Sequence, residues 1–434
     1  MALLSRRGLT TAGLAAALVG VGLVAVDLIA TARRDLPVSH EDPREHFKYG
    51  SVGSESSLWI PRAVFEVLPS LFEDLLPPGP GAGYERLGFT YEPGHSLPVG
   101  VGERRQTVAV VGLNCAACHT GTLRRSPGEA PEVLSGAPAN RFDSEAFFQF
   151  LTEVGADPRF EPDRLFAAME ERRVPISWEA RLYYRLFAIP RTRARLLQLR
   201  QQLAGLQRRP AFGPGRADAD AIDHAVAGAG AAGEGLGTAD YPPLFNQRLH
   251  QGAAPHFPAA DLASLRRVTE WIQDLQPPVY PRERIDLARA ERGRGLWDRE
   301  CNRCHSSGGV QLVGRTTPVA EVGTDAELAR ARGADGYRGA PLDGVWARSP
   351  YLHNGSVPTL RALLFPEERP EVFFRGYDAF DWAQVGYVSS GPEAEKAGFR
   401  FDTRLRGNDR HGHTYGASLA AADKEDLLEY LKTL

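Results

Sequence analysis

The pentapeptide Cys115-Ala116-Ala117-Cys118-His119 returns as Cys301-Asn302-Arg303-Cys304-His305, and the two copies use every cysteine in the chain. Cys-x-x-Cys-His is the attachment signature of a c-type haem. Two thiols three positions apart can each form a thioether to the porphyrin edge, while the adjacent imidazole reaches the iron as an axial ligand. A zinc site or a redox dithiol would also use paired cysteines, but neither explains a histidine directly after both pairs. Two covalently bound c-type haems (iron) are therefore the expected cofactors, held by Cys115, Cys118, His119, Cys301, Cys304 and His305. The expected fold is mainly α: two cytochrome c-like haem domains in tandem with long irregular loops, preceded by an N-terminal membrane segment. The corresponding divisions are 1–34, 35–280 with a helical insertion, and 281–434.

Lys+Arg number 51 against 54 Asp+Glu, for a formal charge of −3, which gives no reason to expect a nucleic-acid partner. Only Lys48, Lys396, Lys424 and Lys432 are lysines, so a lysine-ringed docking face is not expected. Arg6 and Arg7 precede an apolar run from Leu9 to Val26, and Ala30-Thr31-Ala32 follows before Arg33 and Arg34. This pattern reads either as an uncleaved membrane anchor or as a cleaved signal. Both place the folded part in an oxidising compartment, the bacterial periplasm or cell envelope, where covalent haem attachment takes place.

Along the chain, His40 to Gly50 is polar and reads as a linker. Leu58 to Leu76 reads as short helices broken at Pro61 and Pro69, and Thr107 to Val111 as a short strand leading into the first motif. Phe147 to Leu206 is helical, with a cap expected at Asp163. Gly213-Pro214-Gly215 and Gly228 to Gly237 match no phosphate-binding fingerprint and read as loop. Asp261 to Gln276 is a helix ending in Glu270-Trp271-Ile272-Gln273-Asp274-Leu275, a pattern repeated at the C-terminus as Glu429-Tyr430-Leu431-Lys432-Thr433-Leu434. Each copy closes one haem domain. Ile285 to Arg299 is the helix entering the second motif, and Trp297 is expected to pack on Tyr430.

What fills the second axial position decides whether a haem carries electrons or performs chemistry. Met169, in a charged helical stretch, is expected to be exposed. The other candidates are His40, His46, His95, His224, His250, His256, His353, His411 and His413. His413 lies in the loop just before the second closing helix, where many cytochrome c domains supply this ligand, with His411 as the alternative. His250 and His256 are weaker candidates for haem one, and an open or water-bound iron is expected there. The metal ligands expected overall are thus His119, His305 and His413.

Several stretches go beyond haem spacing: His46-Phe47-Lys48-Tyr49-Gly50-Ser51, Leu97 to Gly100, Gly112 to Cys115, Asp240 to Gln247, Pro341 to Trp346, and Ser349 to Leu360. Together they resemble the rubber-oxygenase-like branch of the bacterial di-haem cytochrome c peroxidase superfamily, from about His40 to the C-terminus. The resemblance implies a periplasmic protein with two haems, one open or oxygen-bound on its distal side and one held by two histidines. The matching positions are His119 and His305 as proximal ligands and His413 as the second ligand of haem two. It allows a calcium ion between the haems, and it suggests His353 as a polar group near a haem, the alternative being a loop-ordering hydrogen bond. The chain departs from the branch at Phe245, where Trp is more usual, and around Ala253 to Pro258, so the substrate does not carry over. The expected activity is a peroxidase-like or oxygenase-like haem oxidoreductase moving electrons from haem two to a reactive haem one. Its partners would be an electron donor or acceptor protein and peroxide, oxygen or a hydrophobic substrate. The alternatives are a non-catalytic membrane-tethered electron carrier and a dioxygenase cleaving an isoprenoid.

Overall fold

The computed structural model describes residues 35–206, 209–227, 236–250, 262–305 and 316–434. Of these, 44% are helical and 13% lie in strands, so the mainly α architecture does not hold. The reason is local. The chain entering the first motif is extended and pairs into a four-stranded antiparallel sheet, in the order Leu36–Pro37, Val101–Arg105, Ala109–Leu113, Ile60–Pro61. The chain leaving the motif pairs again, Thr120–Leu123 against Glu132–Ser135. The strand expected at 107–111 is present as Ala109–Leu113. No helix among the described residues is long and apolar enough to cross a membrane. The expected N-terminal membrane segment, 1–34, lies outside the described residues.

The stretch read as a linker is a helix, Pro43–Tyr49. Its composition misleads because its polar residues have partners. Asp42 caps the helix by accepting from the Arg44 N–H at 2.8 Å, and buried Lys48 meets both Glu45 and Glu92 at 2.6 Å. Phe47 packs on Trp271 of the helix Leu262–Gln273, ring centroids 5.1 Å apart. Trp297, in the helix Leu287–Glu300, packs on Tyr430 of the helix Ala421–Leu431 at 5.8 Å, as expected. The repeat therefore extends beyond the closing helices: each sets its aromatic against one on an entry helix. In the first unit three strands of the sheet intervene in sequence between entry helix and motif.

The second pair crosses closely at Gly293, where a Cβ would lie 2.0 Å from the Asp426 carbonyl oxygen. The Arg292 guanidinium spans the same crossing, donating to both Asp426 carboxylate oxygens at 2.6 and 2.9 Å.

Met169, expected at the surface, is 1% exposed. On the helix Pro162–Glu171 it shares a face with Leu165, Phe166 and Ala168, the i, i+3, i+4 spacing of a core stripe, and the surrounding charges lie on the other side. Asp163 is not the cap of that helix; Glu161 occupies the position, and Asp163 pairs with Arg185. A large core joins Leu58 through Tyr241, and a second joins Leu123, Leu134 and Phe245 to Trp297, Trp346, Val357 and Leu427. A smaller cluster of Phe47, Tyr49, Val99, Cys115, Ala116, Val268 and Ile272 backs the first motif directly.

Candidate haem sites

Cys115–Cys118 is a single helical turn. So short a helix needs outside support, and Asn114 supplies it. Its Oδ1 accepts from the Ala116 N–H at 3.0 Å, and its Nδ2 donates to the carbonyls of Lys48 and Gly50 at 3.2 and 3.1 Å. The motif is thereby tied to the entry helix Pro43–Tyr49.

The His119 imidazole stands 2.8 Å by its Nδ1 from the carbonyl oxygen of Pro242. A carbonyl only accepts, so Nδ1 carries the proton and the Nε2 lone pair is left for a metal. Burial pushes this imidazole down to about 4, only partly offset by the Pro242 bond, so it is neutral at physiological pH. His305 repeats the arrangement, with its Nδ1 2.7 Å from the Ala340 carbonyl and its basicity lowered by burial. Burial pushes the Cys115 thiol up to about 12 and the Cys301 thiol up to about 11. Catalytic dithiols need the reverse shift. No disulfide joins any of the four cysteines.

His413 comes to His305, ring centroids 6.1 Å apart. With imidazole-to-metal bonds of about 2 Å on each side, that separation leaves room for one iron between the rings. His413 is neutral, pushed down to about 4 by burial with His305 adding to the effect, and its Nδ1 is buried without a hydrogen-bond partner. His411, the alternative, is exposed and bound to Asp409.

The positions of these ligands are set by residues whose role no spacing in the sequence announces, although Asn354 and Ser356 lie in a stretch that carries the resemblance. Arg369 donates to the carbonyls of Arg410, Gly412 and His413 at 2.7, 2.8 and 3.3 Å, strapping the ligand loop from behind. Asn354, fully buried, donates to the carbonyls of Gly407 and Asp409, and the Ser356 hydroxyl donates to Asp409 as well. The loop also rests on Gly323: a Cβ at Gly412 would lie 2.2 Å from the Gly323 carbonyl carbon. On the proximal side, Arg348 donates to the carbonyls of Pro341 and Asp343, fixing the turn that presents Ala340 to His305.

No second imidazole stands against His119 among the described residues; the neighbouring ring is that of Tyr241, 6.3 Å away and edge-on. His256 lies outside the described residues, as does the side chain of His250. His95 stacks on Tyr49 at 3.8 Å, His46 is buried with its Nδ1 accepting from the His40 N–H, and His224 is exposed. His353 stacks on Tyr337 at 4.1 Å, and its carbonyl accepts from the Asp240 N–H at 2.9 Å. Phe245, where a Trp was expected from the resemblance, is buried in the second core. No three His, Cys, Asp or Glu side chains converge into a cation site among the described residues.

A continuous connection joins the two proximal histidines. His119 binds the Pro242 carbonyl, and two residues earlier Asp240 binds the His353 carbonyl. The His353 ring lies on Tyr337, and three residues later Ala340 accepts from His305.

Among known proteins, the uncharacterized protein y4iM of Sinorhizobium fredii is 31% identical over 241 residues, covering 40% of this chain and 54% of the relative. The uncharacterized protein y4iJ of the same organism is 44% identical over 108 residues, 23% of this chain and 18% of the relative. The chain thus spans about half the length of one relative and under a fifth of the other. Residues 336–374, which contain Ala340, Arg348, His353, Asn354 and Arg369, match the family model of RoxA-like, cytochrome c-like proteins. This match supports a link to RoxA-like cytochromes c and implies haem c; it does not confirm the di-haem peroxidase superfamily.

Proposed function

We propose that the protein is an exported, periplasmic di-haem cytochrome in which His305 and His413 together hold haem two and His119 alone holds haem one. Electrons delivered by a partner protein pass from haem two to haem one, where peroxide or oxygen is handled. The observation that carries this reading is the asymmetry between the motifs: one proximal histidine faces a second imidazole at 6.1 Å, and the other faces none among the described residues.

Haem supplies the redox chemistry at both places, and the chain decides how each is used. His305 and His413, two neutral imidazoles positioned by Arg348 and Arg369, would hold haem two between them and suit it to electron transfer. A single imidazole leaves a coordination position for a small oxidant. The Pro242 carbonyl, by accepting from Nδ1, makes His119 a stronger donor to the metal. The connection through Asp240, His353 and Tyr337 supports communication between the two sites.

Electron paramagnetic resonance of the oxidised holoprotein is expected to show one low-spin and one high-spin centre. His413→Ala should convert the low-spin centre to high spin and leave the other unchanged. Two low-spin centres in the native protein would make it an electron carrier without an open site, and an unchanged spectrum in the variant would remove His413 from the ligand set.

A further inference from the structure

One surface has no part in the haem chemistry. Trp178–Tyr183 is a helix that runs through a π-helical turn, Tyr184–Ala188, into the helix Ile189–Leu203. Its inner face buries Tyr184, Ala188, Ile189, Thr192, Leu196 and Leu199. Its outer face carries Trp178, Leu182, Leu186 and Phe187, exposed by 73, 54, 55 and 59%. The π-turn explains why two neighbouring bulky residues point outward together. Pro190 has no N–H to give to the Leu186 carbonyl, and the Ile189 N–H reaches back five residues to Tyr184, so the turn widens by one residue. Leu182 then lies one turn from both Leu186 and Phe187.

Scattered exposed apolar residues need no explanation, but a contiguous aromatic and aliphatic stripe does. The charge around this one is one-sided. Between positions 172 and 200 the sequence carries eight arginines and one acid, Glu179. Arg181 and Arg185 fold back onto Glu170 and Asp163. Arg193 and Arg195 donate inward to the carbonyls of Gly155, Asp157, Ser57 and Val226, and Arg191 lies over the Trp59 ring, which leaves Arg172, Arg173 and Arg200 exposed, with no ion pair among the described residues. A second copy of the chain is a poor occupant, because a two-fold contact would set arginines against arginines.

We propose that the face formed by Trp178, Leu182, Leu186 and Phe187 docks on an anionic lipid bilayer surface, its apolar side chains in the interface and the flanking arginines at the headgroups. Bulky apolar residues on one side of a helix and arginines along its flanks are the pattern of a helix lying in the membrane plane. The arginines add an attraction that anionic lipid provides and neutral lipid does not. The contact is peripheral and independent of residues 1–34 and of the haem assignments.

Hydrogen–deuterium exchange of the full-length holoprotein, with and without vesicles, reads this helix separately from the rest of the chain. Phosphatidylglycerol-containing vesicles should slow exchange over 178–187, while pure phosphatidylcholine vesicles should do so weakly, and raised salt should reduce the effect. Leu186→Glu with Phe187→Glu should abolish the local protection and weaken its apparent vesicle affinity by about tenfold or more, with the haem absorption spectrum unchanged as the check on folding. Absence of protection over 178–187 with anionic vesicles overturns the proposal. So does protection that rises with protein concentration in the absence of lipid, which would assign the face to another copy of the chain. Should the double variant not fold, Trp178→Gln alone replaces it and must reduce the same local signal; no reduction counts against the proposal.

Discussion

At the scale of single residues, the side chains that bind a haem and those that hold the binders in place differ in how far they can be read from sequence. Cys115, Cys118 and His119 announce themselves because thioether chemistry imposes a local spacing. Arg348 and Arg369 announce nothing, and Asn354 shows only that it belongs to a stretch carrying the resemblance, because their targets are backbone carbonyls that any sequence provides. Asn354 illustrates the cost of losing such a residue. It is fully buried, and its amide serves the Gly407 and Asp409 carbonyls of the loop that presents His413. Asn354→Ala leaves two carbonyls without that donor, at about 1–3 kcal/mol. The midpoint of urea unfolding should fall accordingly. The low-spin signal of the holoprotein should lose intensity to a high-spin form as His413 loosens, an effect that a purely scaffolding asparagine would not have.

At the scale of elements, the pairing of entry and closing helices is legible in the second unit and not in the first. The helix into Cys301 and the C-terminal helix carry long periodic patterns, and their Trp297–Tyr430 contact follows from them. The counterpart helix Pro43–Tyr49 is short and polar, and its partner Trp271 lies far along the sequence, so only the folded chain pairs them. The crossing of the second pair makes a sharp test, because Gly293 and Gly295 share one helix in opposite surroundings. At Gly293 a side chain would strike the Asp426 backbone; at Gly295 nothing lies within 4 Å. Gly293→Ala should destabilise by about 1–3 kcal/mol through overpacking. Gly295→Ala should stabilise by roughly 0.5–1 kcal/mol, since alanine is the better helix former and restricts the unfolded chain. Urea titrations of the two variants should move in opposite directions; movement in the same direction would mean that the helices do not cross at Gly293.

At the scale of the whole molecule, burial has placed titratable groups so that their effects oppose across the acidic range. His353, on the Tyr337 ring, is pushed down to about 4 by burial, with Arg216 and Arg332 adding to it. An unfolded histidine titrates at about 6.5, so between these values the unfolded chain binds a proton that the folded chain refuses. Stability from this group is lost as pH falls. Glu145 is pushed up to about 7, chiefly by burial, even though it accepts from the Phe212 N–H at 2.6 Å. Its folded form keeps a proton that an unfolded glutamate releases near 4.3, so stability from this group is lost as pH rises. Where the windows overlap, between about pH 4.5 and 6.5, the two slopes cancel. Replacing either group should expose the other. Relative to the native protein, His353→Gln should lose stability as pH rises through the overlap, and Glu145→Gln should gain it, each by on the order of 1 kcal/mol after allowance for partial exposure. Urea unfolding at about pH 5 and pH 6.5 reads both differences, and every other titrating group is common to the three proteins and drops out. Parallel pH profiles for all three would mean that neither group is held away from its ordinary protonation by the fold.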